Sequence, residues 1–262
     1  MDIVAHMTEV TPNSGSTEAI ILIKAAPQVG QRSGETVCCA GLDRYGNWLR
    51  LYPVSFRHLD RGQKFGRWDR IRFKWRLPKD DQRPESRRVD QDSIEIIGKL
   101  KKREQEPFLA NAIVTSLNRE RENGRSLALL KAEVIEFSIE KKSLSELAEE
   151  AQRFAAIRNQ GDLFSKQVIS YGVCPYRFKY RYRTEDGERF GTCQDWELEA
   201  TYFKWSKLYG EHQTILKIQS VFGEEYPRKG MLLAMGTHSQ YPDTWLINGV
   251  IRLDDVKQAT LF

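Results

Sequence analysis

Two stretches of this sequence place a cation at every second position. Residues 70–77 read Arg-Ile-Arg-Phe-Lys-Trp-Arg-Leu and residues 176–183 read Tyr-Arg-Phe-Lys-Tyr-Arg-Tyr-Arg. An extended strand sends alternate side chains to opposite faces. The first stretch therefore gathers Arg70, Arg72, Lys74 and Arg76 against Ile71, Phe73, Trp75 and Leu77. The second gathers Arg177, Lys179, Arg181 and Arg183 against Tyr176, Phe178, Tyr180 and Tyr182. Cations about 6.6 Å apart on one face repel unless something negative lies over them. A phosphate backbone suits such a face, because each neutralised phosphate releases counterions. Between these stretches Arg83, Arg87 and Arg88 add guanidiniums that can grip phosphate with two parallel bonds. The alternative is a solvated sheet surface on which nearby Glu and Asp cancel the charge.

A second constellation is Trp48-Leu-Arg-Leu-Tyr52. With Leu49 and Leu51 as its core face, the other face shows Trp48, Arg50 and Tyr52. Two rings and a guanidinium can stack bases or hold an extruded one. The alternative is a second layer that covers them.

Chemistry on a base needs that base out of the stack, and cleavage of an N-glycosidic bond is helped by a carboxylate that stabilises the developing charge or activates water. The candidates are Asp195 and Glu197, which straddle Trp196, and Glu85 in the Arg-rich loop. Asp195 equally suits the cap of a helix opening at Trp196, and Glu85 a salt bridge within its loop. Asp80, Asp81 and Asp90 near Lys79 form a weaker case for magnesium. No Walker loop, dinucleotide fingerprint, nucleophile elbow or zinc-deaminase signature occurs. Cys38, Cys39, Cys174 and Cys193 lack zinc spacing, and the histidines are scattered. We expect no cofactor, no metal and four buried thiols. Symmetry about an Asp186-Gly187 turn would set Cys193 opposite Tyr180, out of register with Cys174.

Composition bounds these readings. The chain has 262 residues, 40% of them apolar, and a formal charge of +5, enough apolar material for a packed core rather than a disordered chain. Apolar runs such as Ala19–Ile23 fall far short of the roughly 20 residues of a membrane span, and the first eighteen residues lack the apolar stretch of a signal peptide, so a cytoplasmic protein is expected. Residues 61–90 hold eleven basic against five acidic side chains, net +6, and residues 133–163 four against seven, net −3. The small total thus conceals one strongly basic region.

The elements that must position these groups are short. After a turn-rich tail over 1–18, strands are expected at Ala19–Lys24, Thr36–Leu42, Trp48–Val54, Trp68–Leu77 and Ser93–Leu100. They make a strand-rich basic unit over 19–104, a small barrel or curled sheet. A connecting segment over 105–163 carries a helix from Pro107 to about Glu122, a strand at Val134–Glu140, and a helix opened by the capping box Ser143-Leu-Ser-Glu146. A mixed unit over 164–262 holds the basic hairpin, helices from Trp196 to Tyr209 and from His212 to Phe222, and strands at Met231–Gly236 and Thr244–Arg252. The class is α+β. The strand-rich unit resembles PUA-like pseudobarrels, which hold nucleic acid and sometimes an extruded base; that likeness concerns fold and says little about function. The reading is a nucleic-acid-binding protein, DNA favoured over RNA, with a base-excising N-glycosylase ranked first among enzymatic versions. The alternatives are a non-catalytic reader of modified bases and a module for an acidic protein partner.

Overall fold

The computed structural model describes residues 12–25, 28–30, 34–56, 59–158, 173–238 and 240–253. Its first half is a curled sheet of Ser14–Lys24 (β1), Gln28–Gly30 (β2), Gly34–Leu42 (β3), Trp48–Val54 (β4), Asp69–Arg76 (β5) and Ser86–Lys99 (β6). The strands run in the order β1-β5-β6-β4-β3, with β2 beyond β3, and a β1–β3 pairing closes five of them into a barrel. One long strand achieves the closure. Ser14 to Ile20 pair with β5, and Ile20 to Lys24 pair with β3 across a bulge between Ile21 and Ile23. At that seam Gly41 lies opposite Ile21, and a Cβ there would stand 2.1 Å from the Ile20 carbonyl oxygen, so only glycine lets the two backbones meet. Alternation fills the barrel with Ile21, Leu51, Ile71 and Phe73, and Phe65, from the connection before β5, joins them.

The second half is a seven-stranded sheet, ordered Ile113–Val114 (β7), Leu127–Lys131 (β8), Met231–Thr237 (β12), Trp245–Arg252 (β13), Gly187–Cys193 (β11), Tyr176–Thr184 (β10) and Glu133–Lys141 (β9). Helices Lys102–Leu109 (α1), Leu117–Glu122 (α2), Leu144–Arg158 (α3), Trp196–Tyr209 (α4) and Glu211–Ile218 (α5) complete it, and the chain continues from α5 through a π-helical stretch, Gln219–Glu225. Leu198 and Tyr202 of α4, Ile218 and Phe222 cover one sheet face over Phe178, Tyr180, Leu233 and Ile247. On the opposite face Leu127, Leu129, Leu232 and Ala234 pack against Ile20, Leu22, Ala40 and Leu42, the outer wall of the barrel. The barrel thus buries its β1–β3–β4 side on the sheet and leaves the β5–β6 side open.

The mixed α+β class and the curled strand-rich unit agree with the sequence reading. Several details differ. β1 begins at Ser14, inside the stretch read as a tail, because its polar first half pairs with β5. The single helix expected from Pro107 to Glu122 is two helices with a short strand between them, since Ile113-Val114 extends β8 in parallel and Ser116 caps α2. β8 escapes notice because Leu127–Leu130 are all buried and show no alternation. The hairpin turn is shifted: Thr184 pairs with Gly187 and Phe178 with Cys193. Asp186 instead accepts from Ser116 Oγ and from the Leu117 and Asn118 N–H groups at the start of α2. Ser143 and Glu146 do form their capping box.

Candidate nucleic-acid interface

The open wall carries the first basic stretch as its alternation requires. Arg70, Arg72, Lys74 and Arg76 are exposed, with Ile71 and Phe73 buried between them. Their neighbours across the ladder decide what each cation does. Arg72 lies between Glu18 of β1 and Glu95 of β6 and bonds both, at 2.8 and 3.4 Å. Arg76 lies between Ser14 and Arg88, and Lys74 between Ser16 and Asp90. Like charges directly opposite one another destabilise a sheet, and Arg76 and Arg88 are such a pair. Among the described residues, Arg70, Lys74, Arg76 and Arg88 have no carboxylate within ion-pair reach. Lys74, Trp75, Arg76, Arg88, Val89 and Asp90 line a cleft of about 420 Å³. The Arg87 guanidinium stacks over the Trp75 ring at 4.6 Å, and the indole N–H is buried without a partner among the described residues.

The second basic strand looks alike in sequence and differs in surroundings. β10 lies between β9 and β11, whose acids meet its cations one by one. Lys179 bonds Glu140 at 2.6 Å, Arg181 bonds Glu136 at 3.2 Å, and Arg183 bonds Glu133 at 3.1 Å and Glu188 at 2.5 Å. Arg177 reaches Glu146 at 2.6 Å. The hydrogen bond from Arg177, then those from Ser143, hold the Glu146 carboxyl down at about 2. The charge of Lys179, Arg181 and Arg183 is therefore balanced within the sheet, and that of Arg177 by α3. Glu136 and Glu140, an even number of residues apart on one strand, are the signal in the sequence that announces this, and a bulge brings Glu133 into line with them.

The Trp48–Arg50–Tyr52 face is not an open platform, which corrects the expected exposure. The sheet lies over it. Trp48 packs on the cluster between barrel and sheet, Tyr52 is half-buried, and Arg50 is 4% exposed. Arg50 donates to the Ser126 carbonyl and hydroxyl at 2.9 and 3.1 Å, and Ser126 donates from N and Oγ to Glu85 at 2.8 and 2.6 Å. Burial, then the Arg83 charge, pulls the Arg50 guanidinium down to about 10. Arg83 turns inward to Asp81 and the Thr237 carbonyl, and Arg87 bonds the Pro84 and Ser86 carbonyls. Of the Arg-rich loop, only Arg88 joins the open cleft.

The candidate catalytic carboxylates are engaged in joining the two halves. Asp195 is 1% exposed. One oxygen accepts from the Glu197 N–H at 2.9 Å, capping α4, and the other from Arg67 at 2.9 Å and the Val250 N–H at 2.8 Å. Glu197 stands 3.5 Å from Arg67 and 3.7 Å from Lys24, and Lys24 lies over the Phe56 and Trp196 rings at 5.2 and 5.6 Å. Glu85, with both oxygens on Ser126, belongs to the other network. One turn along α4, burial lifts the Glu199 carboxyl to about 7, with Lys142 opposing the rise and Glu150 and Asp195 adding to it. Cys39, Cys174 and Cys193 are buried and Cys38 partly so, all four as free thiols. Among the described residues no group of three or more His, Cys, Asp or Glu is placed to hold a metal ion.

Fold and site together define an α+β protein in which a closed five-stranded barrel, docked on a seven-stranded sheet, presents one wall with unbalanced cations. Residues 110–262, more than half of the chain, match the family described as Domain of unknown function (DUF8757), and the chain belongs to that family. Residues 16–113 match a second, described as Domain of unknown function (DUF8758). No curated protein sequence matches the chain. A chain of a solved replication protein A heterotrimer bound to ssDNA aligns with 93% of this chain and 67% of its own length, at 9% identity and a TM-score of 0.23.

Proposed function

We propose that this protein binds nucleic acid, DNA in the first instance, through the β5–β6 wall of its barrel. One observation carries the reading: Arg76 and Arg88 face each other across the ladder, with Lys74 beside them and no carboxylate bonded to any of the three among the described residues. A fold that balances the four cations of β10 so closely leaves the Arg76–Arg88 pair facing like charge with like, at a cost of a few tenths of a kcal/mol or more. An anion laid over the wall offsets that cost, and a phosphate backbone matches guanidiniums in geometry as well as charge. The connectivity supports the choice. Counted within the barrel alone, the strands close in the order 1-2-3-5-4-1, that of the OB-fold, a five-stranded Greek-key barrel that binds oligonucleotides. The face of strands two and three, which such barrels use, is packed on the sheet here, so the open wall is the side that remains for a ligand. Because Asp195 and Glu85 have their oxygens committed to internal partners and Glu197 stands between Arg67 and Lys24, the reading is of a binder rather than a base-excising enzyme.

Arg76→Glu tests this without confusion from misfolding. It replaces a like-charge pair with an opposite-charge one, so it should raise the melting temperature slightly while weakening DNA binding. Arg181→Glu on β10 should leave affinity nearly unchanged. Equal loss of affinity in both variants, or undiminished binding by Arg76→Glu, would overturn the proposal.

A further inference from the structure

We infer that the cleft between β5 and β6 is a guanine-selective pocket for one unstacked nucleotide of a single strand, an assignment that rests on the nucleic-acid reading above. The cleft, at about 420 Å³, lies within the range that takes small organic ligands, roughly 300–1,000 Å³. Its lining divides as a nucleotide does. Trp75, half-buried beneath the Arg87 guanidinium, and Val89, 7% exposed, form a narrow apolar floor, and Lys74, Arg76 and Arg88 offer cations for the phosphates on either side of a base. The remaining lining residue is Asp90. It lies opposite Lys74 in the ladder and shares the cleft with two guanidiniums, yet forms no ion pair among the described residues. Glu18 and Glu95, two strands' breadth around Arg72, do pair. Asp90 is thus an exposed acceptor whose carboxylate has no partner among the described residues, set beside three cations.

An ionised carboxylate only accepts hydrogen bonds. Guanine's Watson–Crick edge presents an N–H and an amine side by side, matching its two oxygens. Cytosine and adenine place one amine next to a ring nitrogen whose lone pair repels a carboxylate, and thymine flanks its N–H with two carbonyls. A duplex keeps this edge paired, so recognition requires a single strand.

The test is fluorescence anisotropy with three labelled oligomers: thymidine alone, thymidine interrupted by separated guanosines, and the latter with deoxyinosine, which lacks the amine, in place of guanosine. The guanosine oligomer should bind roughly five-fold tighter than thymidine alone, the low end for a two-bond base contact. The inosine oligomer should fall between them, and a duplex of the guanosine sequence should bind no tighter than the thymidine strand. Asp90→Ala removes a negative charge, so charge alone would tighten all three equally; the inference requires instead that their differences vanish. A guanine preference that survives Asp90→Ala, no preference in the unmodified protein, or tighter duplex binding overturns the pocket. If Arg76→Glu weakens binding while base preference is absent, the pocket fails and the interface stands. If no oligomer binds, both fail.

Discussion

Replacing Asp195 with asparagine separates a structural lock from a catalytic acid. The carboxylate has two oxygens with different duties: one caps α4 through the Glu197 N–H, the other receives Arg67 and the Val250 N–H. Asparagine has one oxygen. It can serve the cap or the Arg67 side, and in either orientation its amide N–H meets a group that also donates. Arg67, with only 14% of its side chain exposed, then keeps its charge with Glu197, 3.5 Å away, as the remaining carboxylate. Removing one partner of a buried ion pair costs about 3–5 kcal/mol, and a chain of this size loses about 2–4 °C of melting temperature per kcal/mol. Asp195→Asn should therefore melt at least roughly 6 °C lower and show a lower urea midpoint. Below its transition it should bind DNA as the unmodified protein does. An unchanged melting temperature accompanied by loss of a DNA-processing activity would refute the reasoning and return Asp195 to the role of catalyst.

Two further outcomes follow from the packing. The Glu199 carboxyl is raised from 4.5 to about 7 in the folded protein; between these values the unfolded chain has released a proton that the folded chain still holds, so stability should fall as pH rises through this window, by up to about 3 kcal/mol. Glu199→Gln should flatten that dependence in urea titrations across the window, and an unchanged profile would show that Glu199 does not titrate as described. Gly41→Ala forces a Cβ to within 2.1 Å of the Ile20 carbonyl oxygen and should cost more than the roughly 1–3 kcal/mol of ordinary overpacking. Gly98→Ala, which meets open space, is the control; equal melting temperatures for the two variants would mean that the seam is not closed this way.

The alternation of residues 70–76 was legible in the sequence, with Ile71 and Phe73 filling the barrel as expected and Trp75 half-buried, because a strand buried on one face obeys a period of two; Leu77, beyond the end of β5, is exposed instead. The fate of each cation was not. It depends on cross-strand neighbours: Glu18 and Glu95 reach Arg72, and Glu133, Glu136 and Glu140 reach β10 from a strand some forty residues earlier. Arg88 and Asp90 read as loop residues because the first half of β6 is densely charged, and pairing with β5 on one side and β4 on the other makes that half a strand. Alternation sets Trp48, Arg50 and Tyr52 on one face, yet whether that face is wet depends on the sheet packed outside it, whose strand Leu127–Lys131 has no alternation to reveal it. Asp195 was legible as a cap from its place before Trp196. Its partner Arg67 was not, since 128 residues separate the two.

The most direct measurement of the central claim is the salt dependence of binding to a single-stranded oligomer. Three phosphates held by Lys74, Arg76 and Arg88 should give a slope of log affinity against log salt near −2, at about −0.7 per phosphate. Arg76→Glu combined with Arg88→Glu should bring the slope to about −0.7 or shallower, while Arg181→Glu combined with Arg183→Glu leaves it near −2. A slope indifferent to the β5–β6 reversals, or one flattened equally by those on β10, would contradict the account.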